Sequence, residues 1–315
     1  MFYTSYDKIY IFSLDLDKWR VPAVSAEMGS ACPGPIWNHT ACAFESKMIV
    51  FGGFNGSVQS SDVSILSFSD DGGESYVMVF LKLRFLRSVI CVLTIFPDSC
   101  RWSQPTYPLG AKPSPLSQHT SCLHLGRYMV VFGGYNTSNG HLNELWIFDL
   151  HALSWTSPEY FGTPPSKRRG HGAAIIRDKM YIFGGFDGTS HLNDLHCIDL
   201  HSFSWVLLDS KGGRSPRRHH AMEAVGDFLV VYGGFDGERY LEDVYSLNVN
   251  TSVWTCWHIL RPTMSPLNNI GGNGTIFGRS LHTMTFAKRR LVVFGGVHGS
   301  RSLQDVLYLE NVAGK

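Results

Sequence analysis

Short apolar runs closed by paired glycines recur along the chain. KMIVFGGF, RYMVVFGGY, KMYIFGGF, DFLVVYGGF and RRLVVFGGV are five copies of one pattern. Runs this short, rich in Val, Ile and Phe and bounded by turn residues, predict strands rather than helices. Nine or ten residues after each pair an acid opens a second apolar run: Asp62, Glu144, Asp194, Asp243 and Asp305. A tryptophan follows three of these acids by eleven residues, at Trp155, Trp205 and Trp254. Ahead of each glycine pair stands a run led by a histidine, from His39, His119, His171, His220 and His282. Each unit therefore reads as four short strands: a His-led strand a, a strand b ending in Gly-Gly, an acid-led strand c and a Trp-bearing strand d.

The second glycines are Gly53, Gly134, Gly185, Gly234 and Gly296, so successive steps are 81, 51, 49 and 62 residues. Four strands per unit at a period near 50 resemble the kelch family, whose repeats each form one blade of a β-propeller. The resemblance covers nearly the whole chain, and His, Gly-Gly, acid and Trp at matching offsets are far more specific than a double glycine. It implies an all-β propeller in a single domain, residues 1–315. Packing argues the same way. A lone four-stranded meander covers neither of its faces, whereas stacking around an axis covers both and shortens exposed edges. Trp19, Trp102, Trp155, Trp205 and Trp254 are thus expected to pack, and the glycine pairs to sit where blades crowd or the backbone turns without room for a Cβ.

The ends depart from the pattern. Residues 1–19 match only strands c and d, with Asp7 at the acid and Trp19 at the tryptophan, while VLYLENVAGK stops after strand c. A six-bladed design with an incomplete first blade is the favoured reading, with a natural start upstream of Met1. A five-bladed ring closed by the Trp19 strand is the alternative.

The step of 81 contains a segment, 73–98, unlike any other unit. Its core, Tyr76 to Phe96, has the length of a membrane span. Its Leu, Ile, Phe and Val residues contribute roughly −4 to −8 kcal/mol on the insertion scale, but Lys82, Arg84 and Arg87 cost about 8 to 10, so it is not expected to insert. Reverse translation offers another origin. Gly73-Glu74-Ser75 is encodable around a splice donor and Phe96-Pro97-Asp98 around an acceptor, with the frame kept on excision. The segment is expected to be translated intron, with a lineage-specific insertion as the alternative; transcript sequencing separates them.

Composition narrows the partner class. Lys plus Arg (27) balances Asp plus Glu (26), so the overall field favours neither nucleic acid nor a membrane surface. Seven scattered cysteines without a Cys-x-x-Cys pair suit a reducing compartment, and the acid-flanked amino terminus does not read as a signal peptide. The expected location is cytoplasmic, with the nucleus as the alternative.

In an antiparallel blade the b–c loops and d–a links share one end of the ring. That end collects Asn55, Tyr135, Asn136, Asp187, His191, Asp236, Arg239, Tyr240, His298 and Arg301 from the loops after the glycine pairs. Arg168, Arg217 and Arg279, each three residues before a strand-a histidine, belong to the same end, where the first two units carry Ile36 and Leu116. Two readings stand for these arginines: they brace adjacent loops, or, as the resemblance to Kelch-like substrate adaptors implies, they line the mouth and contact acidic peptides. The basic runs SKRR and RSPRR flank the same mouth.

The histidines occupy one repeated position, which favours a register role over metal binding, and no His-x-His or His-Glu-x-x-His motif is present. No catalytic residue, metal or cofactor is expected. The leading function is recognition of a partner protein or peptide, acidic in character, by a scaffold or substrate receptor. The alternative is a propeller enzyme such as a copper oxidase or sugar isomerase.

Overall fold

The computed structural model describes residues 9–26, 36–69, 76–82, 87–94, 99–106, 110–209, 214–257, 263–264 and 278–309. Asp7 and the borders of the unusual segment, 73–75 and 95–98, lie outside the described residues.

Each glycine-pair unit builds one antiparallel blade. In the second, Thr120–His124, Tyr128–Asn136, Gly140–Asp149 and Ser154–Thr156 pair in chain order. The third repeats this with Gly172–Ile176, Lys179–Phe186, His191–Asp199 and Ser204–Leu207. The fourth does so with Ala221–Val225, Phe228–Tyr232, Val244–Asn248 and Val253–Trp257. The first blade gains a fifth strand, Ala23–Ala26, parallel to Ser99–Ser103. In the last blade, which lacks a following tryptophan, Thr263–Met264 pairs with Val306–Leu309 as the outer strand although it precedes strand a in the chain.

The apolar stretch is a pair of strands. Tyr76–Lys82 pairs with Ile9–Ser13, and Arg87–Thr94 pairs with Tyr76–Lys82, so with Lys18–Arg20 they make a further four-stranded sheet. Arg87–Thr94 runs beside Thr40–Phe44 and Thr283–Ala287, the innermost strands of the first and last glycine-pair blades, and so closes the circle around the axis. Among the described residues no helix is long and apolar enough to cross a membrane.

The repeated residues are the joints between blades. Trp205 packs on Phe132 of the preceding blade at 5.2 Å between ring centroids, Trp254 on Phe183 at 5.3 Å and Trp155 on Phe51 at 4.7 Å. Trp19 meets Phe294 of the last blade at 5.6 Å, joining the two ends of the chain by packing. Four of the strand-a histidines lean edge-on against an aromatic of the preceding blade: His119 on Phe51, His171 on Phe132, His220 on Phe183, His282 on Tyr232. The glycine pair leaves space for two of these histidines. Gly233 has φ +63°, and a Cβ there would lie 2.8 Å from His282 of the next blade; at Gly234, φ +104°, it would lie 2.9 Å from the Cβ of His220 in its own blade. Both positions demand glycine on backbone and on space.

Candidate functional site

The two ends of the ring differ in kind. At one end the a–b turns span only two or three residues, such as Arg177-Asp178 and Gly226-Asp227. The other end, the mouth, carries the b–c loops and the d–a links, and opens into an axial cavity of about 290 Å³. A belt of backbone hydrogen bonds passes from blade to blade around this opening: Gln118 N–H to Asn38 O, Gly170 to Gln118, His219 to Gly170 and Leu281 to His219, at 2.7 to 2.9 Å. All five residues have positive φ. At Gly170 a Cβ would fall 2.6 Å from the His219 ring. That vacancy lets His219 reach across to share a 2.8 Å hydrogen bond with Gln118 Oε1.

The cavity wall is built from neutral histidines. Burial pushes His39 down to about 4 and His119, His171 and His282 to about 3, and it holds His220 well below its ordinary value. His119 shares a 2.8 Å hydrogen bond with Thr40 Oγ1, and His171 one with Thr120 Oγ1. These contacts make them inter-blade ties. Among the described residues no three His, Cys, Asp or Glu side chains come together as a metal site.

The pH dependence follows from the sign of these shifts. The unfolded chain binds protons at these histidines near pH 6.5 while the folded ring does not, so their contribution is complete above pH 6.5 and is lost as pH falls. Glu223 opposes this: burial raises its carboxyl to about 7, so it weakens the fold as pH rises from about 4.5 to 7. One carboxyl against five histidines leaves the histidines dominant. Thermal melts should show the melting temperature falling by more than about 5 °C between pH 7 and pH 5; a flat profile would remove the neutral-histidine ring from the account.

The candidate residues separate into three groups. Asn55, Asn136, Asp187 and Asp236 hold equivalent places, each accepting two backbone N–H groups two and three residues ahead through its side-chain oxygen at 2.7 to 3.0 Å. They set the shape of the b–c loops as Asx turns. Asn136 is buried and also donates to Pro115 O.

Of the two readings of Arg168, Arg217 and Arg279, bracing is the one their burial fits, and the brace lies within each blade rather than on the partner-facing surface. They are 0, 0 and 1 % exposed. Each makes a forked pair with the acid opening strand c of its own blade: Arg168 with Asp194 at 2.7 and 2.8 Å, Arg217 with Asp243 at 2.6 and 3.0 Å, Arg279 with Asp305 at 2.8 Å twice. Each also donates to the first glycine carbonyl of the pair: Gly184, Gly233 or Gly295. Burial opposes ionisation of Asp194, but hydrogen bonds from Arg168 and His196 outweigh it and hold the carboxyl well below the usual range. Ile36 and Leu116, both buried, replace the brace in the first two units, and there Asp62 and Glu144 remain exposed without an arginine.

Arg239, Tyr240, His298 and Arg301 stay at the mouth. Arg239 is exposed, with a single long contact of 3.4 Å to Asp236. Tyr240 stacks between Phe235 at 5.1 Å and His298 at 5.2 Å. His298 Nδ1 is hydrogen-bonded to Gly278 O at 2.6 Å, and the exposed Arg301 pairs with His298 in a short hairpin.

Two arginines outside the candidate set belong here. Arg169 and Arg218 directly follow Arg168 and Arg217, and consecutive residues of extended chain face opposite ways, so the second arginine of each doublet turns outward. Arg169 lies over Tyr135 at 4.8 Å and Phe186 at 5.6 Å; Arg218 lies over Phe186 at 5.0 Å and Phe235 at 5.6 Å. The rings beneath continue as an arc through Tyr135, His141, Phe186, His191, Phe235, Tyr240 and His298, neighbouring centroids 5.1 to 6.0 Å apart. The doublets in SKRR and RSPRR were the available signal.

The model of the KLHDC2/KLHL20/DRC7 Kelch-repeats domain matches residues 86–272, more than half of the chain. A Rab9 effector protein with kelch motifs from Rattus norvegicus is 36 % identical over 100 residues, covering 31 % of this chain and 27 % of that protein. Host cell factor 2 of Homo sapiens is 31 % identical over 159 residues, 49 % of this chain and 18 % of the relative. The Danio rerio Rab9 effector protein is 30 % identical over 189 residues, 58 % and 45 %. The matched stretch thus spans less than half the length of each relative, and none of the three carries an enzyme's name.

Proposed function

The chain belongs to the family of the KLHDC2/KLHL20/DRC7 Kelch-repeats domain, and from that premise we propose that it is a protein-recognition module that binds a partner polypeptide across the mouth face, as scaffold or substrate receptor. The observation that carries this is the asymmetry of the ring. One end has a–b turns of two or three residues, with the first blade's c–d connection carrying the extra strands Tyr76–Lys82 and Arg87–Thr94, whereas the other combines loops that differ from blade to blade with an aromatic arc and exposed cations. Loops held on a rigid scaffold are where binding concentrates, and aromatic side chains with arginine dominate binding energy at interfaces. Relatives named as effectors of Rab9 support a protein as the partner.

The test is site-specific photocross-linking in lysate. A benzophenone side chain at position 240 or 189, both at the mouth, should yield adducts with one and the same polypeptide. The same group at position 125, in an exposed a–b turn, should give none. Adducts confined to position 125 would place recognition on the opposite end.

A further inference from the structure

The histidine ties around the axial cavity fail part of the way round. In the first two blades the residue after the strand-a histidine partners the histidine of the next blade: Thr40 Oγ1 meets His119 Nε2 and Thr120 Oγ1 meets His171 Nε2, each at 2.8 Å. In the third blade that residue is Gly172, which has no hydroxyl. His220 leans over it so closely that a Cβ there would lie 2.5 Å from its Nε2. The fourth blade has Ala221, and His282 turns its Nε2 to the Tyr232 carbonyl at 3.1 Å. The fifth blade restores the hydroxyl with Thr283, yet Thr283 Oγ1 is buried with no partner among the described residues. Both ring nitrogens of His220, a residue only 7 % exposed, are likewise buried and unpartnered there.

Buried polar groups are nearly always paired, so a group left over calls for an occupant that pairs it. Gly172, His220 and Thr283 all line the axial cavity. Among the described residues no Asp, Glu, Lys or Arg lines it, and burial keeps His220 and His282 neutral. An ionised ligand would therefore enter without a counter-charge, at the cost of its hydration. A neutral imidazole has one donor and one acceptor, and a threonine hydroxyl can act as either. A ligand hydroxyl, itself donor and acceptor, matches both. Ala173, Met222 and Met284 add apolar lining suited to a carbon skeleton, and the volume of about 290 Å³ lies at the small end of ligand pockets.

We propose that the axial cavity binds a small uncharged polyhydroxy compound, whose hydroxyls pair with His220 and Thr283 while its carbon skeleton lies on Ala173, Met222 and Met284. The site lies inside the ring and does not depend on what the mouth loops recognise.

Carbon–proton correlation spectra of the histidine Cε1 groups of the full chain report on the site, with the His220 signal identified by its loss in His220→Phe. Glycerol, myo-inositol and D-glucose are the uncharged probes, and D-glucuronate and D-glucosamine their charged counterparts. At least one uncharged probe should shift the His220 signal saturably with a Kd below about 1 mM, and should bind about tenfold or more tightly than either charged sugar. Thr283→Val, which keeps the shape and removes the hydroxyl, should weaken that binding about tenfold or more. Thr283→Ser should restore most of it, whereas Thr255→Val, at an exposed place on strand d, should stay within about twofold of the parent. The Thr283 hydroxyl has no partner to lose, so Thr283→Val should melt no lower than the parent, which separates lost binding from lost folding. In calorimetric titration of His220→Phe the saturable heat should vanish. Absence of a saturable shift with all three uncharged probes would mean that water alone pairs these groups and would overturn the site. Unchanged affinity in Thr283→Val, or tighter binding of a charged sugar, would overturn it as well. Cross-links at position 240 depend on neither result, so the mouth-face reading stands or falls separately.

Discussion

Replacing Arg217 by methionine is expected to cost about 3 to 5 kcal/mol, because it leaves a carboxylate with its counter-charge removed inside the ring. The side chain of Arg217 is fully buried while Asp243 is 26 % exposed. Water can therefore reach part of the orphaned carboxylate, which places the effect toward the lower end. The loss exceeds one ion pair. The Gly233 carbonyl and the Ser215 hydroxyl lose their donor in the same step, and those contacts tie the d–a link to the end of strand b where the glycine pair turns. Urea denaturation should show the loss, and changing Asp243 to leucine in the same chain should recover part of it, since a well-packed apolar pair often replaces a buried ion pair at little cost. By contrast Arg239→Met, at an exposed position, should fall within about 0.5 kcal/mol of the parent. An Arg217→Met chain as stable as the parent would return this residue to the mouth surface.

Trp205→Ala is expected to cost about 3 to 5 kcal/mol as well. The ring is 4 % exposed and sits in a cluster with Val130, Phe132, Met180, Ile182 and Ile198, so truncation opens a cavity at the joint between two blades rather than within one. Its indole Nε1 is buried without a partner. Trp205→Phe therefore forfeits no hydrogen bond and should retain more than half of the stability lost in the alanine variant. Equal losses for alanine and phenylalanine would indicate that the indole nitrogen, not the buried area, is what matters at this position.

Much of the fold was legible because each blade repeats the same joints. The histidine, the first glycine and the tryptophan recur at fixed offsets since each meets a residue of the adjacent blade, and the second glycine does so because it meets the histidine of its own; a contact made several times leaves a period in the sequence. What appears once leaves none. Nothing in the segment around Tyr76–Thr94 announced that its two strands would pair with Ile9–Ser13 and lie beside Thr40–Phe44, nor did Thr263–Met264 announce itself as the outer strand of the last blade. The mouth was legible as a place but not residue by residue. Arg168 and Arg169 are chemically identical neighbours in the sequence, and the spacing that identified the former could not tell which of the two turns toward Asp194 and which toward Tyr135. The acid at the head of strand c was recognised as a repeat marker, but its role emerges only when the chain folds back over 26 residues to bring the arginine within its reach.

The central claim, that recognition takes place at the mouth, is tested most directly by measuring the affinity of two charge-reversed chains for the cross-linked partner. Arg239→Glu/Arg301→Glu alters exposed cations at the mouth, and Lys179→Glu/Arg289→Glu alters the net charge equally at the a–b turns of the other end. The first chain should bind about tenfold or more weakly than the parent and the second within about twofold. Equal weakening in both chains, or weakening in the second alone, would contradict a mouth-face recognition surface.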